Sequence, residues 1–396
     1  MFTDCIAVNQ QISTEIFSSV ETLDVTSWET INNDRNVYLT LPYLKGLEQG
    51  LPLMDFRYIV FYNESKEPVG LGYCQIVKIT KNEINTDALT QRMGGMLPKN
   101  LLNSLDLRVL ICGNAFASGE NGYLFITDFD QSEGFKLLGA AIDEINYSEK
   151  KSQRKISISL IKEFWPQTFN TSKLLKESGC SEVNIDVNMV LKLDPNWKLF
   201  DDYLAEMNSK FRTKAKRVFK LSKDVVEVDF TQKIIEERLK DIDDLYNFIV
   251  DKANFSFGRL NAKTLLNMKK AFGEDFLFKG YYVEDKLIAF STATAFDNVL
   301  DGNFIGLDYD YNQDYGVYQR ILYDFVKHAL KIGATEIRIG RTAEEIKSGV
   351  GAHPVEMKFY AKHRNKVTNA ILRPFVQKLK PNTFNLRKPF KASFYQ

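Results

Sequence analysis

The chain has 396 residues, more than one ordinary hydrophobic core serves, so two domains are expected. It is 44% hydrophobic and 26% charged with a formal net charge of +1, which marks a globular protein and excludes a binder driven by bulk charge. No apolar run reaches membrane-spanning length, and the first residues lack a basic segment followed by an apolar one, so a cytoplasmic location is expected.

In chain order, the first half predicts a tryptophan-bearing helical turn at 27–30 and a helix over 38–49 carrying Leu41, Leu44 and Leu47. Strands over 57–62 and 69–79 flank a polar turn, Asn63 to Pro68, and form a hairpin. A strand over 108–112 leads into a glycine-bearing loop, 113–122. A helix over 134–146 aligns Leu138, Ala141, Ile142 and Ile145 on one face. A strand at 155–161, a short helix at 172–177 and a strand at 183–193 complete the half. Asp194-Pro195-Asn196 interrupts both periods and marks the boundary. A linking helix over 201–224 is expected to turn Leu204, Met207, Phe211, Ala215 and Phe219 inward.

The second half repeats the order. A hairpin (281–283 and 287–295) precedes an apolar strand over 299–307 and a polar loop containing Gly316. A helix follows with Tyr318, Ile321, Leu322, Phe325, Val326, Ala329 and Leu330 on one face, stopped by Gly333. A strand at 336–339, a short helix and a strand at 355–360 come last. Free amides at such a strand-to-helix turn, with the helix dipole behind them, suit a phosphate. Gln313, Asp314, Tyr315, Gly316, Val317 and Tyr318 are therefore the candidate cofactor-binding residues, although Asp308, Asp310 and Asp314 would repel an anion.

Arg341, Glu344, Glu345, Lys347 and His353 form a dense polar group between two core strands. Acyl transfer to an amine needs one group to take a proton and another to protonate the leaving group. Lys347, Glu345, Tyr311 and Arg341 are the candidate catalytic residues. The competing account is a solvated turn with Glu344 and Lys347 paired. Cys5, Cys74, Cys112 and Cys180 have no metal-ligand spacing, with only three histidines beside them, so no metal site is expected. Two basic runs remain, 210–220 and the stretch beyond Glu356, which has no acidic residue. The second interleaves its cations with Phe375, Phe384, Phe390 and Phe394, a pattern that suits an anionic membrane surface.

A hairpin, a phosphate-cradling turn, a helix and a strand pair, repeated twice, resemble the GCN5-related N-acetyltransferase (GNAT) fold. Gln313 to Tyr318 sit where that family carries Arg/Gln-x-x-Gly-x-Gly/Ala, with Gly316 kept and Tyr318 in place of the second glycine. Two copies joined through a helix resemble the bacterial Fem-type and peptidoglycan-biosynthesis acyltransferases. The resemblance implies an α/β (α+β) protein of two tandem GNAT-like domains, each a mixed, mostly antiparallel sheet flanked by helices. The expected division is 1–194, with a degenerate site, 195–370, and a basic tail, 371–396. It further implies an N-acyltransferase moving an acyl group from acyl-CoA, as co-substrate, to a small-molecule or lipid-linked amine, and the basic tail adds an expected peripheral contact at the inner membrane face. A Fem-like aminoacyltransferase using charged tRNA, or a non-catalytic binding protein of this fold, stand as alternatives.

Overall fold

The computed structural model describes residues 12–80, 106–184, 187–252, 257–365 and 383–395. The first sheet contains β1 (Ser13–Phe17), β2 (Asp55–Tyr62), β3 (Pro68–Thr80), β4 (Asp106–Cys112), β5 (Tyr123–Phe125), β6 (Ile158–Phe164) and β7 (Ser181–Asn184). The second contains β8 (Asn188–Lys192), β9 (Val226–Asp229), β10 (Phe276–Val283), β11 (Lys286–Phe296), β12 (Val299–Leu307), β13 (Glu336–Arg338) and β14 (His353–Val355). One further strand, β15 (Lys358–His363), belongs to the first sheet. Both sheets are mixed and mostly antiparallel, with helices against them, as the repeat predicts.

The strand orders are β1-β2-β3-β4-β6-β15-β7, with β5 on β3, and β14-β8-β13-β12-β11-β10-β9. The two halves therefore exchange strands. β8 lies between β13 and β14 of the second sheet, and β15 lies between β6 and β7 of the first. The single strand expected over 183–193 is two strands in different sheets. The strand expected over 355–360 is likewise divided between β14 and β15. Alternation of side chains marks a strand but does not name its partner, which is chosen by contacts remote in sequence.

Local chemistry explains the helices. Asp130 accepts the Ser132 amide at 2.7 Å and caps the helix Gln131–Lys151, which buries Leu138, Ala141, Ile142 and Ile145 on the first sheet. The helix Val317–Ile332 buries Val317, Ile321, Leu322, Phe325, Val326 and Ala329, and ends at Gly333 with φ +72°. Residues 231–272, where the sequence suggested no element, form helices Gln232–Glu237, Leu239–Val250 and Ala262–Phe272. The halves meet through a shared apolar core containing Tyr43, Leu44 and Leu47 on one side and Leu265, Phe276 and Phe290 on the other. The helix Leu41–Gly50 approaches Ala262–Phe272 so closely that a Cβ at Gly50 would lie 2.2 Å from Thr264 Oγ1.

The linking helix is two helices, Phe200–Glu206 and Ser209–Leu221, parted at Asn208. The Asn208 amide and side chain donate to the carbonyls of Pro389 and Phe390, each at 2.8 Å. The described end of the chain thus docks as a strap. Phe390 is buried, with Trp197 and Phe394 rings against it at 5.2 and 4.4 Å. Phe384, Phe390 and Phe394 pack on the second core, which withdraws them from the amphipathic surface expected of the tail. Lys366, Arg373, Phe375, Lys378 and Lys380 lie outside the described residues. Among those described, no helix is long and apolar enough to cross a membrane. Replacing Phe390 by alanine is expected to destabilise the protein by about 3 kcal/mol, measured as a lower urea midpoint with an unchanged slope.

Candidate functional site

β12 and β13 run parallel but pair only at Val299–Glu336, Leu300–Ile337 and Asp301–Arg338. Past Asp301 the strands part. The gap between Gly302–Ile305 and Ile339–Thr342 opens into a cavity of about 320 Å³. Tyr246 and Val250 wall it from one helix, and Tyr318, Leu322 and Phe325 from another. Ala117 and Ser118 reach it from the first half, and Lys347 lines it beside Arg341. A larger hollow of about 560 Å³, lined by Asp241, Asp244, Asp251, Asp285 and Asp308, is an open surface groove. Its carboxylates include Asp241, Asp244 and Asp308, which already pair with Arg238, Lys240 and Lys286.

Asp301 is the buried carboxylate of the cavity. Asn303 Nδ2 donates to Tyr38 Oη at 2.9 Å, and Thr294 Oγ1 donates to Asn303 Oδ1 at 2.8 Å. The phenol proton is thereby directed to Asp301 Oδ2, 2.5 Å away. Burial pushes the Asp301 carboxyl up to about 6, with Glu163 and Glu336 adding to it against the Tyr38 bond and Arg338. Asp301 can therefore hold or release a proton near neutrality.

Lys347 is also buried, and its Nζ donates to the Arg341 carbonyl at 2.6 Å. Burial draws this lysine down to about 7, Arg341 lowers it further, and Glu344 opposes both. Arg341 Nη1 lies 2.7 Å from Glu163 Oε1, a carboxylate fully buried in the first half. Lys162 Nζ lies 3.3 Å from the same oxygen and donates to the carbonyls of Asn114 and Ala117. Burial would raise Glu163, but Arg341 and Lys162 hold it below the ordinary carboxylate range. Burial brings Lys162 down to about 8. This cluster ties the loop carrying Ala117 and Ser118 to Arg341, three residues beyond the end of β13.

Of the residues suggested by sequence, Lys347, Arg341 and Tyr318 come together at the cavity. Glu345 turns away and pairs with Arg387 at 2.5 Å. Tyr311 stacks on Tyr315 with Lys286 over its ring, away from the splay. Gln313 and Asp314 are exposed, and Val317 is buried in the core. The expected loop is a short helix, Tyr309–Tyr315, capped by Asp308 and ended by Gly316 at φ +62°, a conformation that favours glycine. Two amides at this turn are used internally: Gly316 N–H donates to the Asn312 carbonyl and Tyr318 N–H to Asn312 Oδ1, both at 2.9 Å. These two groups do not present a free phosphate cradle. Asp301, Tyr38, Glu163 and Lys162 were not suggested by sequence. The available signals were a lone aspartate before a glycine in an apolar strand, and adjacent opposite charges in another.

No protein-family model matches the chain, and no curated protein matches it in sequence. Solved structures do match. A tandem GNAT protein from the clavulanic acid biosynthesis pathway aligns with TM-score 0.51 and 9% identity, over 89% of this chain and 99% of its own. FemX aligns with TM-score 0.50 and 12% identity, over 84% of this chain and 93% of its own. With two mixed sheets and a parallel pair splayed in the second, the chain has the tandem GNAT fold that these proteins share.

Proposed function

We propose that the protein is an N-acyltransferase that moves an acyl group from acyl-CoA to an amine in the splay between β12 and β13. The observation that carries this reading is a buried Asp301, oriented by Tyr38, on the wall of a small cavity that also holds Lys347. The open edge of β12 beyond Asp301 offers backbone groups to an extended donor arm. Asp301 takes a proton from the incoming ammonium, and the freed nitrogen attacks the thioester carbonyl. The tetrahedral intermediate collapses as the C–S bond breaks. The nitrogen, cationic after attack, sheds its second proton as the thiolate leaves: Lys347, as the ammonium, protonates the thiolate and is recharged by that second proton, and Asp301 returns the first to solvent. Direct attack fits these residues better than a covalent intermediate, because among the described residues no Cys-His or Ser-His pair lines the cavity.

The test is release of free thiol when the purified protein is given acetyl-CoA and a panel of primary amines. Acylated amine detected by mass spectrometry, stoichiometric with thiol, is expected; hydrolysis alone would reject amine transfer. A second reading, an aminoacyl-tRNA donor, draws on the helix Ser209–Leu221. Its Lys210, Arg212, Lys214, Lys216, Arg217 and Lys220 form no ion pair among the described residues. Binding of charged tRNA that weakens steeply with salt, alongside inactivity with acetyl-CoA, would favour that donor.

A further inference from the structure

The cavity holds groups of both signs on its two diverging walls. Asp301 stands on β12, where the strands part. Arg341 stands on the opposite wall, three residues beyond Arg338, the register partner of Asp301. The groups behind Arg341 do not balance. Lys162 and Arg341 are two cations on the single carboxylate of Glu163. Arg341 also lies over the Phe359 ring at 5.8 Å, and its guanidinium makes no other ion pair or hydrogen bond among the described residues. A guanidinium has five N–H donors in a flat fork that matches an oxyanion. The ion pair with Glu163 anchors the guanidinium and leaves its N–H donors for a ligand, beside a surplus of one positive charge.

Resting on the N-acyltransferase reading, we infer that the acceptor is a small amine carrying its own oxyanion, a carboxylate or phosphate a few bonds from the nitrogen. Arg341 receives the oxyanion and Asp301 receives the ammonium. The volume of about 320 Å³ suits a molecule of amino-acid size and stands at the small end for ligand pockets. Glu163, which belongs to the first half, is a positioning residue. It acts on specificity through Arg341 without touching the acceptor.

The experiment compares matched pairs with acetyl-CoA as donor: amino acids against their decarboxylated amines, and phosphoethanolamine against ethanolamine. At least one acidic member is expected to exceed its partner in kcat/KM by about tenfold or more, and the pair that does so identifies carboxylate or phosphate. Arg341→Lys should shrink that ratio, and Glu163→Gln should raise KM for the acidic member more than it lowers kcat. Equal turnover within every pair, or an unchanged ratio in Arg341→Lys, overturns the inference. If no amine is acetylated, the acetyl-transfer reading fails and the inference is judged by calorimetry with the same pairs. Saturable binding of an acidic member without its partner supports it, and binding of neither overturns it. If a variant does not fold, the wild-type pairs decide alone.

Discussion

Replacing Asp301 by asparagine is expected to lower amine acylation by a factor of about 10² to 10⁴, the usual contribution of a positioned general base. Asparagine keeps the shape and can still accept the Tyr38 proton through its amide oxygen, so the fold should survive. The sign of the pH dependence follows from the carboxyl being raised to about 6. A base works only when ionised and Lys347 donates only while protonated, so kcat/KM of the wild type should climb as pH rises through about 6 and fall again as Lys347 loses its proton at about 7. The asparagine variant should lose the rising limb. Tyr38→Phe removes a hydrogen bond that favours the ionised form, so it should move the limb to higher pH. A wild-type profile that is flat between pH 5 and 8, or a fully active Asp301→Asn, would remove Asp301 from the reaction.

Glu163→Ala is expected to cost about 3–5 kcal/mol, because it strands buried cations without their counter-charge. Against a total stability of about 5–15 kcal/mol for a folded domain, that is enough to unfold a large share of the protein at 37 °C. Lys162 is completely buried at this cluster, and Arg341 contacts the same oxygen. Adding Lys162→Met to Glu163→Ala removes one of the stranded charges and should recover part of the loss. Thermal melts of the single and double variants measure this. A double variant no more stable than Glu163→Ala would place the cost elsewhere.

The elements were legible in the sequence wherever they depend on local periodicity. The apolar face from Ile321 to Ala329, the stop at Gly333 and the hairpin of β2 and β3 all stand as expected. Lys347 and Arg341 were legible as a dense polar group between core strands. What the sequence hid depends on contacts between distant segments. Tyr38 and Asp301 are 263 positions apart, and only the packing of one half on the other brings them together. Tyr311 and Glu345 have suitable chemistry but stand on short helices that direct them elsewhere. At the Gly316 turn, Asn312 supplies an acceptor to Tyr318 that glycine spacing does not reveal.

The exchange of β8 and β15 has a consequence for how the chain is made. Among the described strands β7 joins its sheet only through β15, so residues 181–184 gain that partner once a segment beginning at Lys358 has been synthesised. Throughout that interval β6 presents an open edge, the kind of template on which nascent chains pair wrongly. The first half cannot mature as the ribosome releases it, and the order of synthesis is not an order of completion. Each sheet is completed only when strands from both halves have been made.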